Sequence, residues 1–97
     1  MHHMESDSVN QLLDAIVSLK SREECKKFFE DICTVKETLD LAQRLDVAVL
    51  LDQGASYQTI AQQINVSTAT ISRVSRCLNY GSGGYRMVLD RMREEEK

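Results

Sequence analysis

The residues best suited to chemistry lie in the second half of the chain, and they are residues that bind rather than react. Ser67, Thr68, Ala69, Ser72, Arg73 and Arg76 group small hydroxyl, methyl and guanidinium side chains within one short stretch. Hydroxyls and arginines hydrogen-bond the edges of bases and the oxygens of phosphates. Gln58 and Arg86 add a donor on either side, each suited to a phosphate, as is Arg76. Their surroundings sharpen this reading. Residues 53–89 hold three arginines and no Asp or Glu, whereas the other nine basic residues share the rest of the chain with all 15 acidic ones. A net charge of −3 thus divides into an acid-free window of +3 and a remainder of −6. The window is where a polyanion would dock.

Catalytic chemistry finds no comparable set. The two histidines, His2 and His3, sit at the extreme N-terminus and read as a start-site remnant. No glycine-rich loop precedes a helix to cradle phosphate, and no nucleophile has an identifiable base, so the chain reads as a non-enzyme. Cys25, Cys33 and Cys77 are odd in number and scattered, without a C-x-x-C pair or nearby histidines. They are expected to be buried apolar side chains and not metal ligands, and no metal or other certain cofactor is expected.

The elements that must position the arginine-rich face are helices. Ninety-seven residues without a single proline, 42% of them apolar, fit one all-α domain, 1–97, with residues 1–8 expected to form a disordered arm. The longest uncharged apolar stretch, residues 47–51, is too short to span a bilayer, and no secretory signal opens the chain, so a cytoplasmic location is expected. Val9, Leu12, Leu13, Ile16 and Val17 recur at helical spacing up to about Lys20, with Asp7 or Ser8 as the cap. Ser21 with Glu24, then Thr34 with Glu37, form capping boxes that start a second helix, to about Cys33, and a long third one ending at Gly54. The third helix carries more apolar residues than a chain of this size can cover alone, which points to a partner chain. After the glycines at 81, 83 and 84, a sixth helix is expected from about Tyr85, closing on a charged tail at 93–97.

Between these lie two short helices, 56–79, that have the spacing of a helix-turn-helix. Ile60, Ala61, Ile64, Val66, Ile71 and Val74 supply the small inner core, and Asn65 falls at the turn, where positive φ is commonly required and asparagine tolerates it. Ser67, Thr68 and Ala69 then open the recognition helix, where they would enter the major groove. A rival reading keeps the same helix pair as a protein-interaction or architectural module without a small-molecule effector.

Residues 44–54, the Thr34 cap, and the run Ala69-Thr70-Ile71-Ser72-Arg73 followed by Ser75 and Leu78 resemble the tryptophan repressor superfamily. The similarity is greatest to its uncharacterised YerC/YecD-type group from Gram-positive bacteria, and it covers about residues 32–92. The resemblance implies a six-helix fold forming an intertwined homodimer, with helices one to three of both subunits in a shared core. It further implies a repressor whose paired recognition helices read a palindromic operator in double-stranded DNA. In that family two arginines sandwich a tryptophan corepressor, and they match Arg44 and Arg73. The glycine that follows the second arginine is Val74 here, and added bulk in a packed pocket costs about 1–3 kcal/mol. Weak or no tryptophan binding is therefore expected, leaving open a different corepressor at Arg44, Arg73 and Val74 or none.

Overall fold

Residues 6–96 are described in a computed structural model, which contains six α-helices and, among the described residues, no strand. The helices are α1 (Asp7–Val17), α2 (Arg22–Ile32), α3 (Val35–Asp52), α4 (Tyr57–Gln63), α5 (Thr68–Tyr80) and α6 (Gly84–Glu96). Where length alone suggests one core, the chain forms two compact units that divide after Thr38, inside α3.

In the first unit, local hydrogen bonds fix the helix starts. Ser6 caps α1 by accepting from the Val9 N–H at 3.1 Å. Of the arm expected over 1–8, residues 1–5 lie outside the described residues, and Asp7 and Ser8 are helical because Ser6, not Asp7 or Ser8, is the cap. The helix stops at Val17, three residues earlier than expected, where Ser18 Oγ donates to the Ala15 carbonyl at 2.6 Å and closes the end. Ser21 accepts from the Glu24 N–H at 3.1 Å and Glu24 Oε1 reaches back to the Lys20 N–H at 2.9 Å, so the first expected capping box is displaced by one residue. The second is fully reciprocal: Thr34 Oγ1 accepts from the Glu37 N–H at 3.1 Å, and Glu37 Oε1 from the Thr34 N–H at 2.8 Å. Phe28 and Phe29 meet edge to face with centroids 6.0 Å apart. Neither α1 nor α2 buries a residue.

The second unit holds the core. Val47 and Ala48 of α3, Ile60 of α4, Ile71 and Val74 of α5 and Leu89 of α6 are buried together, with Leu45, Leu50, Ile64, Val66 and Leu78 packed around them. Gly54 ends α3 in the left-handed conformation, φ +89°, as its position suggests. The Ala55 N–H bonds to the Leu50 carbonyl and the Gly54 N–H to that of Leu51, both at 3.0 Å, the paired bonds of a Schellman ending. Gly81 serves differently: a Cβ there would lie 2.4 Å from the Cys77 carbonyl oxygen, so the turn from α5 to α6 admits no side chain at that point. The glycine segment is thus a defined link, and α6 starts at Gly84 and runs through the expected tail to Glu96.

Two expectations are corrected. Asn65 does not have positive φ, since every described residue with positive φ is a glycine; the turn is built from extended backbone, and the Asn65 carbonyl accepts from Gln43 Nε2 of α3 at 3.3 Å. The cysteines are not buried: Cys25 and Cys77 are exposed and Cys33 is half-buried, because α2 has no buried face and Cys77 borders the open groove lined by Leu45, Tyr85 and Val88.

Candidate nucleic-acid interface

Two serines set the helix pair. Ser56 caps α4 by accepting from the Thr59 N–H, and Ser67 caps α5 by accepting from the Thr70 N–H, each at 3.1 Å. Each serine also donates its hydroxyl proton to the threonine three residues on, at 2.9 and 3.1 Å. Ser67 therefore has its hydroxyl engaged in shaping the start of α5. Inward, Ile60 meets Ile71 and Val74, while Ala61 and Val66 close the angle between the helices. That contact fixes which face of α5 looks outward.

The outward face carries the expected set. Thr68, Ala69, Ser72, Arg73 and Arg76 on α5 and Gln58 on α4 are all exposed. The amides of the first turn of α5 point along the helix axis away from its body, a favourable setting for anionic oxygen. Among the described residues, neither Arg73 nor Arg76 has an ion-pair partner.

Arg86 behaves otherwise. Its guanidinium lies 2.8 Å from Asp52 at the end of α3 and 3.3 Å from Asp90 on its own helix, while Arg93 lies 3.3 Å from the other oxygen of Asp52 and also pairs with Asp90. The hydrogen bond to Asp52, then that to Asp90, raises the Arg86 pKa further above its ordinary value. Arg93 chiefly, helped by Arg86 and opposed by desolvation, holds the Asp90 carboxyl below its usual range. Arg86 thus ties α6 to the end of α3 through ion pairs. The pairing with Asp90 has the local spacing of four residues, but Asp52 lies outside the acid-free window and reaches Arg86 only through the fold.

The expected effector residues fall on two helices: Arg44 is half-buried on α3, Arg73 exposed on α5. Val74 is 1% exposed and packed in the core formed with Val47 and Ala48 of α3. Its methyl groups occupy space between α3 and α5 that a glycine would leave empty. The face continues beyond the positions singled out above, through half-buried Ser75 to exposed Asn79. Ser75 and Asn79 follow Thr68 and Ser72 at spacings of four, three and four residues, a helical stripe that was there to be counted. Among the described residues no helix is long and apolar enough to cross a membrane, and no group of three or more His, Cys, Asp or Glu is placed to hold a metal.

Comparison with known proteins agrees with this architecture. The family described as Trp repressor protein matches residues 7–93. The uncharacterized protein YerC of Bacillus subtilis (strain 168) is 53% identical over 88 residues, covering 91% of this chain and 85% of that protein. The crystal structure of a TrpR like protein from Eubacterium eligens ATCC 27750 superposes with a TM-score of 0.87 at 48% identity, covering 92% of each chain. A solved structure from Staphylococcus aureus gives the same TM-score and identity over 96% of each chain.

Proposed function

Because the chain belongs to the Trp repressor protein family, we propose that it is a sequence-specific DNA-binding transcriptional regulator, a homodimeric repressor acting on a palindromic operator. The observation that carries this reading is the contrast between its cations. Arg86 and Arg93 of α6 are tied to Asp52 and Asp90, whereas Arg73 and Arg76 stand on an exposed, acid-free helix face beside Thr68 and Ser72. In this reading Thr68 and Ala69 enter the major groove, Ser72 and Arg73 flank them, and Arg76 and Gln58 meet backbone phosphates. Homodimer formation is supported by the apolar side chains left in water. An open groove of about 490 Å3 lined by Leu45, Tyr85, Met87 and Val88 adds to them in the second unit.

The buried Val74 supports a regulator that does not use tryptophan, since the side chain fills the gap next to Arg73 where the family holds its ligand. A regulator without any small-molecule effector is the simplest form of this reading.

The test is selection of duplexes from a random pool by the purified protein at near-physiological salt, with and without tryptophan. The expected result is a palindrome whose half-sites lie about one helical turn apart, enriched equally in both conditions. No enrichment in either would transfer the helix pair to a protein partner. On the selected duplex, Arg76→Ala should weaken binding to all sequences and lower the salt slope by about 1, whereas Thr68→Ala should relax preference at one or two base pairs. Equal effects of both on every sequence would remove Thr68 from base readout.

A further inference from the structure

The exposed stripe of α5 does not end where base reading would. Tyr57, Ser72, Ser75, Arg76, Asn79 and Tyr80 line an open groove of about 560 Å3 between the start of α4 and the second half of α5. Its lining is one arginine, two serine hydroxyls, an amide and two phenols, with no carboxylate. Arg76 has no ion-pair partner among the described residues. Asn79 Nδ2 donates to Ser75 Oγ at 3.4 Å, which leaves the Ser75 proton available to another acceptor.

The two tyrosines are poorly explained by packing. Tyr80 is 85% exposed and Tyr57 41%, so neither ring contributes much to the core that Ile60, Ile71 and Val74 form beneath them. Donors gathered around one cation with no acid nearby suit an anion of low charge density with several oxygens, and tyrosine, serine and arginine all donate to phosphate. The rings add flat apolar surface that can lie against a sugar. Thr68 and Tyr80 are twelve residues apart, about 18 Å along the helix axis, so the far end of the groove, at Asn79 and Tyr80, lies beyond the bases reached by the N-terminal turn.

We propose that this groove is a DNA backbone clamp: it takes one or two phosphates flanking each half-site, with Arg76 supplying the charge and Tyr57 and Tyr80 donating their hydroxyls. The proposal rests on the DNA-binding reading above and assigns its register on the duplex to residues outside base readout. Because phenol donors are neutral, they contribute affinity without counterion release, so their removal leaves the salt slope in place.

The test uses the duplex selected by the wild-type protein and the double variant Tyr57→Phe, Tyr80→Phe, which keeps both rings and the packing. Binding is measured against a series of duplexes carrying one neutral methylphosphonate each. The double variant is expected to bind about tenfold more weakly, with unchanged base preference and unchanged salt slope. It should also lose sensitivity at one or two methylphosphonate positions per half-site where the wild type is sensitive. If the variant binds as tightly as the wild type, or retains the wild-type pattern of sensitive phosphates, the clamp is wrong while the DNA-binding reading stands. If the wild type selects no duplex at all, both are wrong.

Discussion

The two units treat the same kind of sequence pattern in opposite ways. Residues 39–97 bring Val47, Ile60 and Ile71 to zero exposure and build the helix-turn-helix around them. Residues 6–38 contain equally regular apolar stripes, yet Leu12, Leu13 and Ile16 are each close to 40% exposed and nothing is buried. Burying a leucine or isoleucine is worth about 1.5–3 kcal/mol, and the first unit gains little of this within one chain. An amphipathic stripe is therefore a demand for a partner surface, which the second unit supplies to itself and the first does not. A second copy of the chain, as in the proposed dimer, would meet that demand.

The largest effect should come from the face that looks idle in one chain. Replacing Leu13 and Ile16 together by Asp would be nearly neutral if α1 stayed in water, because exposed substitutions usually fall within about 0.5 kcal/mol. If a second copy covers them, the variant should lose the dimer in equilibrium sedimentation at low micromolar concentration and lose helical circular dichroism from residues 6–38. A compact wild-type monomer under those conditions would break the comparison at its root.

The second unit should respond in another manner. Ile71→Ala leaves a cavity where α3, α4 and α5 meet and should lower stability by about 2–5 kcal/mol. Urea midpoints measured at two protein concentrations should show the same loss, whereas the loss from the α1 substitutions should shrink on dilution, because only the dimeric wild type weakens. Gly54→Ala sharpens the same point at smaller scale. The added Cβ meets nothing within 4 Å, so only the positive φ opposes it, and the cost should be about 1–2 kcal/mol.

Much of this was legible in the residues because the informative interactions are local. Ser21, Thr34, Ser56 and Ser67 cap helices through bonds three residues long, and Gly54 stops α3 through its own conformation. The exposed positions Thr68, Ser72 and Arg76 followed from helical spacing once Ile71 and Val74 were placed inside. What spacing does not contain is pairing across the fold. Asp52 claims Arg86 from 34 residues away, and Gln43 holds the Asn65 turn, so neither the pairing of Arg86 nor the absence of positive φ at Asn65 follows from local spacing. The cysteines misled for a related reason: apolar character predicts burial only where a surface exists to bury against, and α2 has none in a single chain.

The smallest expected effect concerns the ion cluster that fastens α6. Asp90 has its folded pKa depressed below the ordinary 3.8, mainly by the hydrogen bond from Arg93 and then by Arg86. A carboxyl of this kind contributes stability that is present above its unfolded value and fades as pH falls through the folded one. The window therefore lies below about pH 4, and at neutral pH the contribution is complete. Both partners are largely in water, with side chains 48% and 57% exposed, so screening keeps the contribution small and added salt should reduce it. Asp90→Asn should flatten that part of the acid unfolding profile while leaving DNA affinity at neutral pH unchanged, since Arg86 keeps its bond to the less exposed Asp52. A loss of DNA affinity in this variant would mean that α6 needs both acids to hold its place behind α5. The division between a fastening helix and a proposed reading helix would then be less sharp than is indicated by the contrast between the ion-paired Arg86 and Arg93 and, without an ion-pair partner among the described residues, Arg73 and Arg76.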